Sequence, residues 1–326
     1  MNTEHITLLQ PDTYIYIGWG ILLLLSMIAG VICYYSKRRW QKWTSVIPLC
    51  LLWPVFIYGA YIGVNQFEVK HVELTFEDLP EAFDGYTIVQ FSDVHTGTFT
   101  GFRRDLLVKA VDSINAQNAD LVVFTGDLQN KVPSEIEPFR ELLSSIKAKD
   151  RVCSVLGNHD YDIYDDGDDL ERYMNIGTRQ GIDEELGWTL LGNNRIFVRR
   201  GNQHIVVAGM QNDGDGERFP QKGDLSSTLY RVSRQDFVVL LEHDPSSWRR
   251  KILPHCHAQL TLSGHTHGGQ ISLFGWSMAN LKYKENSGLY NIDNRYLYVS
   301  NGLSGVLPFR IGVPAEITVI TLHKKK

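Results

Sequence analysis

The chain has 326 residues, 43% hydrophobic and 21% charged, enough for one large domain or two small ones and too apolar to be disordered over most of its length. Its net charge of −5 argues against a nucleic-acid binder, which usually carries a basic surplus to neutralise phosphates. Four cysteines without paired C-x-x-C segments exclude a zinc ribbon; in the polar part Cys153 and Cys256 form the one conceivable bridge, and two buried thiols are the plainer expectation.

In chain order, residues 13–36 carry no charge, and a second uncharged run covers 44–67, interrupted by Pro48 and Pro54. Each run exceeds the roughly 20 residues a helix needs to cross a bilayer, and prolines are tolerated there when neighbours resatisfy the freed carbonyls. Trp40, Trp43 and Tyr61 suit the membrane interface. A cleaved signal peptide is disfavoured, since no positive n-region precedes the first run and no small-x-small site closes it. Residues 1–67 are therefore expected to form a two-helix membrane anchor with a charge of +2, leaving −7 on a folded domain at 68–326. Lys37, Arg38, Arg39 and Lys42 all lie between the two runs. The positive-inside rule places that loop in the cytoplasm and both chain ends outside it.

Beyond residue 67, short apolar runs at 86–91, 121–124 and 152–156 read as buried strands closed by Gly, Ser or Asp turns. Between them, Leu106, Leu107, Ala110, Val111 and Ile114 make an apolar stripe at helical spacing, as do Phe139, Leu142, Leu143 and Ile146. Further strands are expected at 205–210, 237–241, 258–262, 296–300 and 315–322, with less room for helices. A βαβα first half with parallel strands and a mixed, β-rich second half suggest two packed sheets with helices outside.

Five of these strands end in a turn that holds metal-ligating residues. They are Asp93 and His95 after Phe91, Asp127 after Phe124, Asn158 after Leu156 with His159 next to it, His243 after Leu241, and His265 and His267 after Leu262; His159 is not counted among the ligands. In α/β sheets ligands bind at the carboxyl ends of strands, so these turns can converge on one crevice. Asp93 with His95, and His265 with His267, are i, i+2 pairs whose side chains point the same way in an extended segment, toward one centre. Hard oxygen and imidazole donors without thiolates suit manganese, iron or zinc. Seven ligand candidates exceed the needs of one ion with open positions, whereas two ions about 3.5–4 Å apart can share a carboxylate.

The ordered blocks D-x-H, G-D, G-N-H-D, H and G-H-x-H resemble the calcineurin-like metallophosphoesterases, over roughly residue 74 to the C-terminus. Residues 264–270, 298–303 and 314–317 are similar to an exported or membrane-anchored branch of that family. The resemblance implies a four-layer α/β/β/α sandwich and two divalent ions. One ion would be held by Asp93, His95, Asp127 and His267, and the other by Asp127, Asn158, His243 and His265, with Asp127 as the bridge. His159 would contact the phosphate and help the leaving group. A metal-bridging hydroxide would attack a phosphodiester or pyrophosphate, with a phosphomonoester as the alternative substrate and a non-catalytic scaffold as a remote one. A tether favours a lipid-linked or envelope substrate, on the extracytoplasmic face of the cytoplasmic membrane by the charge rule. The second block departs from the family pattern in continuing Leu128-Gln129-Asn130, without a further acidic residue.

Other features are given plainer readings. His255-Cys256-His257 precedes its strand instead of following it and is expected to be structural. Asp160, Asp162, Asp165, Asp166, Asp168 and Asp169 lack EF-hand spacing and read as a solvated loop. Leu273, Phe274, Trp276, Met278 and Leu281 read as core or as an apolar lip for lipid chains or the bilayer surface. Arg310, in an apolar stretch, is a candidate to face a phosphate.

Overall fold

A computed structural model describes residues 8–164 and 167–326. Two helices open it, α1 (Pro11–Tyr35) and α2 (Arg39–Ile57). Pro11 at the first helical position, with Asp12 in the first turn, suits the free amides of the α1 N-terminus. In α2, Pro48 and Pro54 withhold backbone donors, and the helix widens to a π-turn at Tyr58–Ile62 before ending in a 3-10 turn at Gly63–Asn65. The two helical stretches, Pro11–Tyr35 and Arg39–Asn65, are long and apolar enough to cross a membrane, with mean hydropathies of 2.3 and 1.8. Only 11% and 17% of their apolar windows is buried within the chain, which sets them apart from core helices.

The rest alternates strands and helices: β1 (Phe67–Phe76), β2 (Tyr86–Phe91), α3 (Arg104–Ala116), β3 (Leu121–Phe124), α4 (Arg140–Ser144), β4 (Arg151–Ser154), α5 (Asp169–Glu185) and β5 (Thr189–Leu190). Then come β6 (Asn194–Arg200), β7 (Gln203–Gly209), α6 (Leu225–Thr228), β8 (Val238–Leu241), α7 (Leu253–His255), β9 (Leu260–Ser263), β10 (Ser272–Leu273), β11 (Trp276–Ser277), β12 (Gly288–Ile292), β13 (Arg295–Val299) and β14 (Ala315–Lys324). One six-stranded sheet runs β1-β14-β2-β3-β4-β5 and the other β12-β13-β9-β8-β7-β6. β2, β3 and β4 are parallel neighbours, and so are β8 and β9. The two sheets do not divide the chain into halves, because β14 crosses back to the first sheet, parallel to β1 and antiparallel to β2.

The two-residue period of a strand sorts side chains into layers. Along β3, Leu121 and Val123 point between the sheets, where they meet Val207, Val239 and Leu262. Val122 and Phe124 point outward onto Leu107, Val111 and Ile114 of α3. Along β7, Ile205 and Val207 face inward while Val206 and Ala208 face Trp248 and Ile252. The result is two sheets face to face with helices on both outer surfaces. Cys153 lies in the inter-sheet core and Cys256 is half-buried; both are free thiols.

The expected helix around residues 139–146 is a 3-10 stretch, Pro133–Phe139, leading into the short α4. Pro138 lacks the amide that an α-helix would need there.

Candidate metal centre

The carboxyl ends of β2, β3 and β4 open on the same crevice as those of β8 and β9, and the turns after them are bonded to one another. Asp93 N–H donates to the Gly126 carbonyl at 2.9 Å, His95 N–H to the Asp127 carbonyl at 3.0 Å, and Gly264 N–H to the His243 carbonyl at 3.0 Å. Such close packing requires glycine. A Cβ at Gly126 would lie 2.5 Å from the Gly157 nitrogen and 2.7 Å from His243 Nδ1.

Asp93, His95, Asp127, His265 and His267 all have positive φ, between 46° and 73°. The i, i+2 pairs are therefore not extended segments, which corrects the geometry expected from sequence. Kinks leaving the strand turn the side chains inward, at a cost of order 1–3 kcal/mol each, a strain that clusters at functional sites. The second pair also splits instead of sharing a centre. Donor atoms of Asp93, His95 and His267 lie within 4.8 Å of one another, and a separate group comprises Asp127, His243 and His265. A third group joins His95, Asp127 and His159, so Asp127 stands between the others. Asn158 belongs to the Asp127 side, its Oδ1 being 2.7 Å from His265 Nδ1.

The donor set fits cations. His95 Nε2 lies 3.7 Å from Asp127 Oδ2 and 4.0 Å from Asp93 Oδ1, and His267 Nδ1 lies 3.7 Å from Asp93 Oδ1. Atoms bound at about 2.1 Å to a common ion sit roughly 3.0–3.4 Å apart, only slightly closer than these. Both ring nitrogens of His95 and Nδ1 of His267 are buried without a hydrogen-bond partner, an expense that an ion bound at one nitrogen of each ring would reduce. His243 Nδ1 donates to the Thr125 carbonyl at 2.7 Å, fixing the tautomer and directing Nε2 toward Asp127 Oδ2 at 3.1 Å.

Electrostatics divide the cluster. Burial pushes the Asp93 carboxyl up to about 7 against the pull of His243. Burial also acts upward on Asp127, but His243 and His159 hold it well below the usual carboxylate range. His243 is lowered by burial, yet the Asp127 carboxylate carries it up to about 10. Positive charge is thus drawn to the middle of the site, where cations would supply it.

His159 donates from Nδ1 to the Asn130 carbonyl at 2.6 Å, which leaves Nε2 for the crevice. Its ring stacks on Tyr164 with centroids 4.1 Å apart, and the Tyr164 hydroxyl accepts from Asn158 Nδ2 at 3.0 Å, orienting that amide. Tyr164 and Tyr283 are neighbours of the site that motif reasoning missed. The Tyr283 hydroxyl is 2.7 Å from His265 Nε2, and no block spacing signals it. Arg218 lies over Tyr164 at 5.6 Å and Lys282 over Phe219 at 4.5 Å, putting two cations near the mouth.

Two expectations are corrected here. Asp160 is not part of a solvated loop: it is fully buried, accepts from the backbone amides of Asp127 and Leu128 at 2.8 and 3.0 Å and of Gly157 at 2.9 Å, and is paired with Arg179 at 2.8 Å. It ties the second and third blocks together, and Arg179 is paired in turn with Asp183. Asp162 is buried and accepts from Asn175 at 2.9 Å, while Asp168 caps α5; Asp165 and Asp166 lie outside the described residues. Arg310 does not face a phosphate. Buried, it donates to the carbonyls of Val313 and Pro314 at 3.2 Å and of Asn301 at 2.9 Å, and so shapes the loops under the site.

Comparison with known proteins places the chain in a family. The model of the family described as Calcineurin-like phosphoesterase matches residues 86–269. A Danio rerio protein described as a transmembrane protein with metallophosphoesterase domain is 29% identical over 290 residues, 86% of this chain and 63% of that protein. The chain thus spans less than two thirds of that relative. A Bacillus subtilis (strain 168) protein, the uncharacterized metallophosphoesterase YkuE, is 30% identical over 279 residues, 81% of this chain and 88% of that protein. A crystal structure described as a dimetal phosphatase from Danio rerio is 14% identical, with a TM-score of 0.39 over 69% of this chain and 90% of that one. This chain belongs to the calcineurin-like phosphoesterases.

Proposed function

We propose that the protein hydrolyses phosphodiester or pyrophosphate bonds in a lipid-linked or envelope substrate, with two divalent ions of manganese, iron or zinc type. The observation that carries this reading is the pair of donor groups on either side of Asp127, built from buried imidazole and carboxylate atoms of which several have no other partner. Asp93, His95, Asp127 and His267 would hold one ion, and Asp127, Asn158, His243 and His265 the other. When bound, the ions offset charge on the phosphate oxygens and bring the pKa of water from about 15.7 toward roughly 7. His159 donates from Nδ1 to Asn130 and presents Nε2 to the leaving-group side; burial opposes a second proton on Nε2 and the Asp127 carboxylate favours it, and in that imidazolium form the ring would give the proton to the leaving oxygen or stabilise its charge as a donor. Arg218 and Lys282 add positive charge near the mouth, which supports a substrate bearing a second anionic group.

In this reading residues 1–67 are a two-pass anchor and 68–326 the hydrolase domain. Asp12 at the start of α1 pairs with Arg103 at 3.5 Å, and Tyr61 beyond α2 stacks on Phe102 at 6.0 Å. Both contacts lie at the helix ends remote from the basic turn at Lys37 and Arg38, which supports an extracytoplasmic domain.

Turnover of a generic phosphodiester and a generic monoester by the purified chain, after chelation and after restoring manganese or zinc, tests the chemistry. Metal-restored cleavage preferring the diester is expected. Monoester preference would replace the substrate class, and absence of turnover with bound metal would favour a scaffold.

A further inference from the structure

The segment leaving the metal centre departs from the rules of a soluble surface. Just after His267–Gly269, β10 and β11 form a hairpin closed by Phe274 and Gly275. Both turn residues have positive φ, 54° and 82°. In a two-residue turn of that kind Asn, Asp or Gly is usual at the first position, because a bulky side chain is strained there. No packing compensates the strain, since Phe274 is fully exposed. Leu273, Trp276, Met278 and Leu281 are exposed around it, and exposed Lys282 and Lys284 follow. A local rule broken without a gain in the fold marks a functional segment, and an apolar patch with basic neighbours is the pattern of a surface that meets lipid.

The hairpin also stands beside the two N-terminal helices. Arg310 N–H donates to the Gly59 carbonyl in the π-turn at 3.0 Å, and the ring of Phe309 lies 6.0 Å from that of Phe56 in α2. A Cβ at Gly63 would strike the Arg310 carbonyl. Ile311 then bridges Ile271, and Ser272 N–H donates to the Ile311 carbonyl at 2.8 Å. Two backbone spacings of about 4.8 Å each thus separate the helix from the base of the hairpin, roughly 10 Å. At the same level Trp19 Nε1 donates to the Tyr61 hydroxyl at 3.1 Å, an aromatic pairing suited to the headgroup zone. Interfacial segments bury their apolar faces about 5–10 Å into that zone, a depth the hairpin can reach.

The geometry points to a second membrane contact: residues 271–281 insert their apolar tip among the headgroups and upper acyl chains of the bilayer that holds the two N-terminal helices. This contact rests on the two-pass reading above. It names the substrate class more closely, because the same segment ends on the metal centre. Lys282 sits over Phe219, whose ring packs 5.3 Å from that of His265, and Tyr283 reaches His265 itself. A phosphate presented at the bilayer surface on a lipid carrier is the group this segment brings to the ions.

The test is depth measurement on the full chain in nanodiscs of phosphatidylethanolamine and phosphatidylglycerol, with Cys33, Cys50, Cys153 and Cys256 replaced by alanine. A nitroxide is placed through Phe274→Cys or, separately, Trp276→Cys, with Glu77→Cys beyond the far end of β1 as the aqueous control. Collisions with oxygen should exceed those with a water-soluble nickel chelate at 274 and 276, and the reverse should hold at 77. Equal chelate access at all three sites overturns the contact. Protection that appears only with two copies per disc assigns the patch to a second chain and overturns it as well. Depth is read without turnover, so a protein inactive on every phosphoester would remove the hydrolase reading while the contact is still decided. With turnover present, Phe274→Ser with Met278→Ser should slow a lipid-borne phosphodiester at least tenfold and leave bis-p-nitrophenyl phosphate unchanged; equal effects on both overturn the lipid-substrate assignment.

Discussion

Two His-x-His segments flank β9. His255 and His257 come before the strand, at and just after the end of α7, and neither joins a group of metal-ligating atoms among the described residues. His265 and His267 follow the strand and join two such groups. The residue types and spacing are the same, so the motif itself does not decide the chemistry. Position does: only the carboxyl end of β9 meets the turns after β2, β3 and β4, which carry the carboxylates and the amide. At the other end Gln259 donates to Asp78, and no group of three metal-ligating atoms forms among the described residues.

Substitutions on either side of this divide would sharpen or break it. Asp127→Ala should have the largest effect, abolishing stoichiometric metal binding in titration calorimetry together with turnover, since that carboxylate lies between both groups. A variant that still binds two ions would end its bridging role. Next, His159→Ala should keep both ions by elemental analysis and slow turnover by roughly 10²- to 10⁴-fold, the scale of general acid-base catalysis. Unchanged turnover would return this histidine to a packing role against Tyr164. Smaller again, Tyr283→Phe should weaken binding at the His265 side by roughly 10- to 100-fold, as loss of a ligand's outer partner does. Chelator competition measures this, with the other ion expected to stay put. Last, His255→Ala and His257→Ala should alter neither metal content nor turnover; loss of an ion from either would show that strand direction is not the deciding variable.

The same contrast explains what could be read from sequence. β2 and β3 appear at their expected limits because each is a short run, buried at every position but Thr87, between turn residues. The five blocks were legible because their spacing is tied to strand ends. α5 was not, because its buried positions are Arg179, Ile182 and Asp183, while Leu170, Tyr173 and Met174 face solvent, so no apolar stripe announces it. β6 was missed for a related reason, since Asn194, Arg195, Arg199 and Arg200 dominate its composition. Asp160 shows the limit of reading by neighbourhood. Followed by acidic residues, it looked solvated, yet tertiary packing gives it a buried arginine and four backbone amides of the ligand turns. Tyr283 had no local signal at all, because its partner His265 is 18 residues away and the contact is made by the fold.

The parallel pairing of β1 with β14 over ten residue pairs, Phe67 with Ala315 through Phe76 with Lys324, has a consequence for biogenesis. β14 stands between β1 and β2 in the sheet, so the first strand after the helices has no neighbour until the last strand has been synthesised. A ribosome adding about 5–20 residues per second leaves that edge open for roughly 12–50 s while the intervening chain is made. An unpaired edge waiting that long at a membrane is a natural client for a holding chaperone, and a chain stopped before residue 315 would keep its helices but lose the strand that joins them to the sheet.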